Sequence, residues 1–340
     1  MKKRIVCLAL CLVAALTLAA CGKKAPAASS SASASASVSV SGEETARANV
    51  MVLSGPTGVG AAKMMADNDA KGEAAPYAFT VAAGNDEVTP ALISGEADIA
   101  CVATNLAGTL YNKDAGVQVL AANTLGVLYV LEKGNSVTSV SALAGKTVYA
   151  TGQGANPEYI LKYVLAQNGL DPEKDVNVQW MTPQEVTAKM AESAGGVCML
   201  PVPAATALMI KDPDVRQALD LTEQWNAVAE SPLVMGCVVA RAAFIEEHPE
   251  TVAAFLAEYE QSVDYMNDPA NLDAAAELVA RYAITPSAAV AKRAIPQCNL
   301  TFLTGNEMRD AIQGYFEILF QANPAAIGGG MPDDAFYYAG

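Results

Sequence analysis

Residues 53–63 read LSGPTGVGAAK, and the reading of this stretch decides the fold. Gly55 and Gly60 have the spacing of a phosphate-cradling loop, G-x-x-x-x-G-K-[ST]. Such a loop continues with a lysine for the phosphates and a hydroxyl for Mg²⁺. Ala61 and Ala62 stand there instead, and Lys63 comes two places late. What remains is an apolar run over 50–53, a turn rich in glycine and proline, and a helical pattern over 59–68. A strand that hands over to a helix through a tight turn is the building unit of an α/β sheet.

The unit repeats outward from there. Strands are expected at 77–82, 98–103, 117–121 and 127–131, with helices at 86–94 and 105–111 between them. A second series follows, with strands at 146–150, 176–180, 197–200 and 234–240 and helices at 157–167, 183–192 and 204–210. Beyond Phe244 the pattern turns helical, over 249–266, 272–282, 286–294 and 306–321. Alternation of this kind predicts an α/β fold with largely parallel strands.

The amino-terminal end sets the compartment. Met1-Lys-Lys-Arg4 is basic, residues 5–18 are almost unbroken apolar, and Ala19-Ala20 precede Cys21. The stretch is too short for a membrane span and reads as a signal peptide over 1–20. Its ending, Leu18-Ala-Ala-Cys21, resembles the bacterial lipobox, which implies cleavage before Cys21 and lipidation of that residue. Residues 21–47 are Lys, Ala, Pro and alternating Ser-Ala, a composition that cannot bury a core and reads as a tether. ATP is not available outside the cytoplasm, so the compartment also argues against a P-loop. The formal net charge is −15, and −18 once Lys2, Lys3 and Arg4 leave with the leader. No basic stripe is visible, so nucleic acid is excluded as a partner.

Order and motifs together give a resemblance. Ser94-Gly-Glu-Ala-Asp-Ile99 followed by Thr104-Asn105, Leu143-Ala-Gly-Lys-Thr-Val148, Gly152-Gln-Gly154, and Phe244 with His248-Pro-Glu250 occur in this order behind the lipobox. The chain resembles the type II periplasmic binding proteins. Within them it is similar to the nitrate/sulfonate/taurine group of substrate-binding lipoproteins, which includes relatives carrying the pyrimidine precursor of thiamine. The resemblance implies a two-lobed α/β fold with two crossings between lobes and a ligand cleft between them. Lobe 1 is expected at 48–131 and 233–340, and lobe 2 at 132–232. It further implies an extracytoplasmic lipoprotein, held to the bacterial cell membrane by its lipid. A monomer of this kind captures a small organic solute by cleft closure and passes it to an ABC permease. No cofactor and no metal are implied. Two alternatives stay open: an enzyme on the same fold, of the menaquinone-pathway kind, and a ligand-sensing surface lipoprotein.

The cleft would be lined by loops at the carboxyl ends of strands. On the first lobe these are Ser54, Gly55, Pro56, Thr57 and Gly58, whose backbone donors and hydroxyls suit an anion or the edge of a polar ring, and Thr104 and Asn105. Asn105 equally suits a helix cap. On the second lobe they are Gly152, Gln153, Gly154, Ala155 and Asn156, with Pro201 as a stiff wall. Thr124 and Met235 or Gly236 fall where the chain would cross between lobes, and Trp180 suits ring stacking or core packing. No arginine lies in these loops, which departs from what a strong anion requires. No catalytic motif is found: G-x-S-x-G, H-E-x-x-H and a Cys–His pair are all missing, and the lone His248 precedes a proline at a helix start. Cys101, Cys198, Cys237 and Cys298 have no metal-ligand spacing and are expected as small buried core residues, with a disulfide as the alternative.

Overall fold

The computed structural model describes residues 47–340. The expected leader, the lipidation residue Cys21 and most of the tether lie outside the described residues. The chain begins with β1 (Ala48–Leu53), α1 (Pro56–Val59), α2 (Ala62–Ala70), β2 (Tyr77–Ala82), α3 (Asn85–Ser94), β3 (Ile99–Ala103), α4 (Thr104–Asn112) and β4 (Val117–Thr124). It continues through β5 (Leu128–Lys133), β6 (Thr147–Ala150), α5 (Asn156–Gln167), β7 (Asn177–Trp180), α6 (Pro183–Glu192), β8 (Gly196–Pro201), α7 (Ala204–Lys211), β9 (Val215–Asp220) and α8 (Leu221–Asn226). It ends with β10 (Gly236–Arg241), α9 (Ala242–Glu247), α10 (Pro249–Asn267), α11 (Leu272–Arg281), α12 (Ala288–Ala294), β11 (Leu300–Leu303) and α13 (Gly305–Ala322).

Two sheets form. The first has the order β11-β4-β10-β3-β1-β2 and the second β7-β6-β8-β5-β9. Strands β1, β2 and β3 are mutually parallel, as are β6, β7 and β8, while β10 and β5 run against their neighbours. The interior strands β3 and β10 are buried almost throughout, which is why Ile99–Ala103 and Gly236–Arg241 read as continuous apolar runs rather than as alternation.

Local chemistry sets the ends of elements. In α6, Thr182 and Glu185 form a reciprocal capping box with Pro183 at the first helical position. Gly95 closes α3 in the left-handed region at φ 80°, which makes room for Arg241, whose Cζ lies 3.6 Å from where a Cβ would stand. Arg241 then donates to Asp98 Oδ1 at 2.6 Å, and Asp98 Oδ2 accepts the Asn49 N–H at 2.8 Å. The Asp of the Gly-Glu-Ala-Asp motif therefore ties the starts of β1 and β3 to the end of β10, at the edge away from Leu53.

Three expectations differ in detail. The single helix over 59–68 is split into α1 and α2. The strand expected at 127–131 within lobe 1 is β5, and it pairs wholly within the second sheet, with β8 and β9. Strands β9 and β11 were not expected. Both lie at sheet edges, where one face meets solvent, and polar residues such as Arg216 and Gln217 interrupt the apolar run. The four described cysteines are buried free thiols, as expected of core residues. Burial pushes the thiols of Cys101, Cys198 and Cys298 up to about 12.

Candidate functional site

Chain direction places the site. Strand β4 ends at Thr124, residues 125–127 make the first crossing, and β5 begins at Leu128. Leu128 pairs with Pro201, the last residue of β8, so the chain arrives at the edge where β8 ends. Strands β6 and β7 run parallel to β8 and end on that edge too. The return is the mirror of this. Gly236 opens β10 and pairs with Ala103 and Thr124, at the ends of β3 and β4. The carboxyl ends of β1–β4 thus meet the carboxyl ends of β6–β8 across the crossings, where ligands bind in open α/β sheets. Each strand entering from the other sheet has to run backwards, which explains why β5 and β10 are antiparallel.

Four expected site residues converge on the second crossing. The Met235 carbonyl accepts the Thr104 N–H at 3.2 Å and the Asn156 Nδ2 at 2.9 Å. A Cβ at Gly236 would stand 2.2 Å from Thr57 Cγ2 and 3.0 Å from Thr124 Cβ. Only glycine allows this approach. Two residues outside the expected set complete the cluster. Asn123 donates through Nδ2 to the Thr57 carbonyl at 3.3 Å and to the Tyr259 hydroxyl at 2.9 Å, while its Oδ1 accepts from Thr124 Oγ1 at 3.0 Å. Burial holds the Tyr259 hydroxyl well above its ordinary pKa, so it stays protonated. A polar residue near the end of a buried strand, VQVLAANT, was the sequence signal for Asn123, because a buried amide needs partners.

Most backbone donors of the opening loop are already used. Ser54 N–H donates to Ala82 O at 2.8 Å, Gly55 N–H to Ile284 O at 3.0 Å and Gly58 N–H to Gly55 O at 3.1 Å. A Cβ at Gly58 would stand 2.0 Å from the Leu53 carbonyl oxygen, and one at Gly60 3.0 Å from the Tyr259 hydroxyl. These glycines pack α1 against β1 and α10. Of the backbone donors expected over 54–58, those of Ser54, Gly55 and Gly58 are therefore taken within the fold. Ser54 is exposed and Gly55 and Pro56 are half-buried, so the open part of the loop is its first half.

On the second sheet, Gly152 and Gly154 take positive φ values of 89° and 73°. Gly154 N–H donates to Glu158 Oε2 at 2.7 Å, and Lys162 pairs with the other carboxylate oxygen at 2.8 Å. Burial alone pushes the Glu158 carboxyl up, but the bonds from Lys162 and Gly154 outweigh it, so its pKa is lowered. Gln153 and Gly154 are exposed, and Ala155 and Pro201 are half-buried. Asn156 is 1% exposed, and both ends of its amide are taken, since Tyr315 donates its hydroxyl to Oδ1 at 2.9 Å. Asn156 therefore joins α5 to α13 and the crossing instead of presenting a free amide.

Among the described residues, Thr104 Oγ1 and Asn105 Oδ1 are buried without a hydrogen-bond partner. Asn105 Nδ2 points to Ala326 O at 3.4 Å, away from the crossing. The β2–α3 loop was missed as a third strand-end loop of the first sheet. There Glu87 Oε2 accepts the Ala83 N–H at 3.2 Å, and the buried Asn85 Oδ1 has no partner. Trp180 ends β7 and is half-buried. Cavity size does not mark these loops: two cavities of about 680 and 820 Å³ are lined by α5, α13 and residues 228–232. Among the described residues, no group of three or more His, Cys, Asp or Glu is placed to hold a metal ion, and no helix is long and apolar enough to cross a membrane.

Comparison with known proteins agrees with this architecture. No curated protein matches the chain. Among solved structures, an ABC transporter protein from Parabacteroides distasonis superimposes with a TM-score of 0.71 at 22% identity, over 86% of this chain and 99% of that one. The periplasmic aliphatic sulphonate-binding protein SsuA of Escherichia coli gives 0.68 at 16% identity, over 83% and 90%. The periplasmic nitrate-binding protein NrtA of Synechocystis PCC 6803 gives 0.60 at 14%, over 82% of each chain. At these identities the likeness carries the fold, which is the two-lobed α/β fold of periplasmic binding proteins. The family profile described as NMT1/THI5 like matches residues 78–271, more than half of the sequence, and the chain belongs to that family.

Proposed function

We propose that the protein is an extracytoplasmic solute-binding lipoprotein. It takes up a small organic solute between its two lobes and delivers it to an ABC importer permease. The observation that supports this most is the meeting of both sets of strand ends at two crossings, without a nucleophile–base pair among the residues there. A hinged pair of lobes does its work by closing on a solute, not by bond chemistry. In this reading lobe 1 comprises 48–127 and 233–340 and lobe 2 128–232, with β5 counted in the sheet with which it pairs. Anchoring is through Cys21, by the lipobox Leu18-Ala-Ala-Cys21. Cys21→Ala should move the protein from the detergent phase to the aqueous phase on fractionation. Unchanged partitioning would refute the anchor.

The ligand is a small polar heterocycle or weakly acidic organic solute. Lysine and arginine are missing from 54–58, 83–85 and 152–156, and the carboxylates of Glu87 and Glu158 already occupy backbone donors there. A strong anion such as a sulfonate would meet carboxylates and no guanidinium, which makes it the weaker candidate. A thermal-shift screen of the chain from about residue 43, against pyrimidines, purines, flavins, sulfonates and inorganic anions, tests this. A ligand at about 100 times its Kd adds about 2.7 kcal/mol, or roughly 4 °C for a chain of this size. Ser54→Ala and Gln153→Ala should each weaken the hit. Full affinity in both variants would place the site away from the strand ends.

A further inference from the structure

Helix α13 carries a stripe, largely exposed, along the side of a cavity. Glu307, Asp310, Ala311, Gly314, Glu317, Ile318 and Gln321 recur at helical spacing and line the cavity of about 820 Å³. Across from them lie the second crossing at 228–232 and Tyr163 of α5. Gly314 brings the crossing close, since a Cβ there would stand 2.7 Å from Ser231 Cβ. The floor is apolar, made by Leu303, Ala311 and Ile318 with Val228, Ala229 and Pro232. The rim is acidic. Glu230, Glu307, Asp310 and Glu317 are exposed, and no lysine or arginine lines the cavity. Among the described residues, none of these four carboxylates is in an ion pair; Glu317 accepts only from Gln313 Nε2, at 3.3 Å.

The groove does not end there. Tyr163, Ile318 and Gln321 also line the neighbouring cavity of about 680 Å³ between α5 and α13. From Glu307 to Asn323 the two cavities follow α13 for roughly 24 Å at 1.5 Å per residue, the length of about four helical turns. In the neighbouring cavity the carboxylates of Glu158 and Glu173 are paired with Lys162, so the unneutralised acidic rim belongs to the cavity from Glu307 to Gln321, where it stands beside Leu303, Ala311 and Ile318 and complements one kind of occupant. We propose that this groove docks a basic amphipathic helix of a partner protein, whose apolar face covers Ile318 and Leu303 and whose lysines or arginines reach the four carboxylates. The groove lies between α5, which follows β6 of the second sheet, and α13, which follows β11 of the first, so the partner would contact the chain on both sides of its crossings.

The probe is a fluorescein-labelled 16-residue Lys/Leu peptide with an amphipathic helical pattern, titrated against the full chain by anisotropy. Binding should weaken about tenfold or more in E307Q/D310N/E317Q and again in Ile318→Gln, and should fall as salt is raised. A control, E246Q/E247Q/E250Q, removes the same charge at the end of α9 and the start of α10 and should bind like the parent. Equal weakening by the control would reduce the effect to net charge and overturn the proposal. So would a peptide that binds no better than its Glu/Leu counterpart. Loss of peptide to competing spermine, with Ile318→Gln indifferent, would overturn it in favour of a small-cation site. Circular dichroism of each variant confirms that the parent fold is kept.

Discussion

Replacing Asn156 by alanine should destabilise the chain by about 2–4 kcal/mol, and the size follows from its partners. The Tyr315 hydroxyl is fully buried and loses its acceptor, which costs about 1–3 kcal/mol for an orphaned polar group. The Met235 carbonyl loses Asn156 Nδ2 but keeps the Thr104 N–H at 3.2 Å, so this end costs about 0.5–1.5 kcal/mol. Tyr315→Phe alone leaves Asn156 Oδ1 unpaired and costs about 1–3 kcal/mol. With both changed, the empty acceptor no longer faces a stranded hydroxyl, and the double variant should recover about 1 kcal/mol or more against the sum. Urea unfolding followed by tryptophan fluorescence reads this directly, because the Trp225 ring lies 5.6 Å from that of Tyr315. Additivity within about 0.5 kcal/mol would refute the coupling. The same pair separates two roles for Asn156 once a ligand is in hand. A hinge role makes both single variants lose affinity together, whereas direct ligand contact makes only Asn156→Ala lose it.

Other outcomes follow from single contacts. Gly236→Ala should cost about 1–3 kcal/mol in the same unfolding assay, because its Cβ would stand 2.2 Å from Thr57 Cγ2 in a packed site; a neutral effect would contradict the close approach. Burial alone pushes the Glu132 carboxyl up, but the Ser136 hydroxyl, the N–H groups of Val137 and Ser136, and Arg216 outweigh it and hold the pKa below the ordinary value. A lowered carboxylate stabilises the fold above its unfolded pKa of about 4.3, and that stability is lost as pH falls through the lower folded value. Urea midpoints between pH 7 and pH 3 should therefore fall less steeply in Glu132→Gln than in the parent, and parallel curves would refute the assignment. The four described thiols should react with a disulfide reagent only on unfolding, at the unfolding rate, since all are buried and raised in pKa; rapid labelling of the native chain would contradict their burial.

The fold was legible where physics is local. Strand–turn–helix alternation can be read from a few neighbouring residues, and it places most elements. Sheet membership is not local. The run at 127–131 reads as a strand whichever sheet it joins, and only its pairing with Pro201 and Asp220 shows that the chain has already crossed. The site was legible as a set of strand ends but not as a set of contacts. Thr57, Thr104, Thr124 and Asn156 do meet, yet they meet around Met235 and Gly236, more than 70 residues from Asn156 and further still from Thr57. Asn123 and Tyr259 escaped for the same reason: their roles exist only once β4 and α10 pack together.

This distribution of contacts bears on how the lobes can move. The buried polar bonds at the crossing tie Thr104 and Asn156 to one carbonyl, and Thr57 to Asn123 and Tyr259. A carbonyl that accepts from both sheets at once is a fixed point, because moving either donor away leaves a buried group unpaired at about 1–3 kcal/mol. The loops that keep exposed residues, at Ser54 and at Gln153–Gly154, carry no such bond between them among the described residues. If the proposed function works by cleft closure, rotation of one sheet against the other is expected to be cheapest about Met235–Gly236, with the exposed loop tips travelling furthest. The glycines of LSGPTGVGAAK fit the same scheme: Gly58 and Gly60 pack α1 onto β1 and α10, and Ser54, Gly55 and Pro56 are the part of the loop left exposed or half-buried.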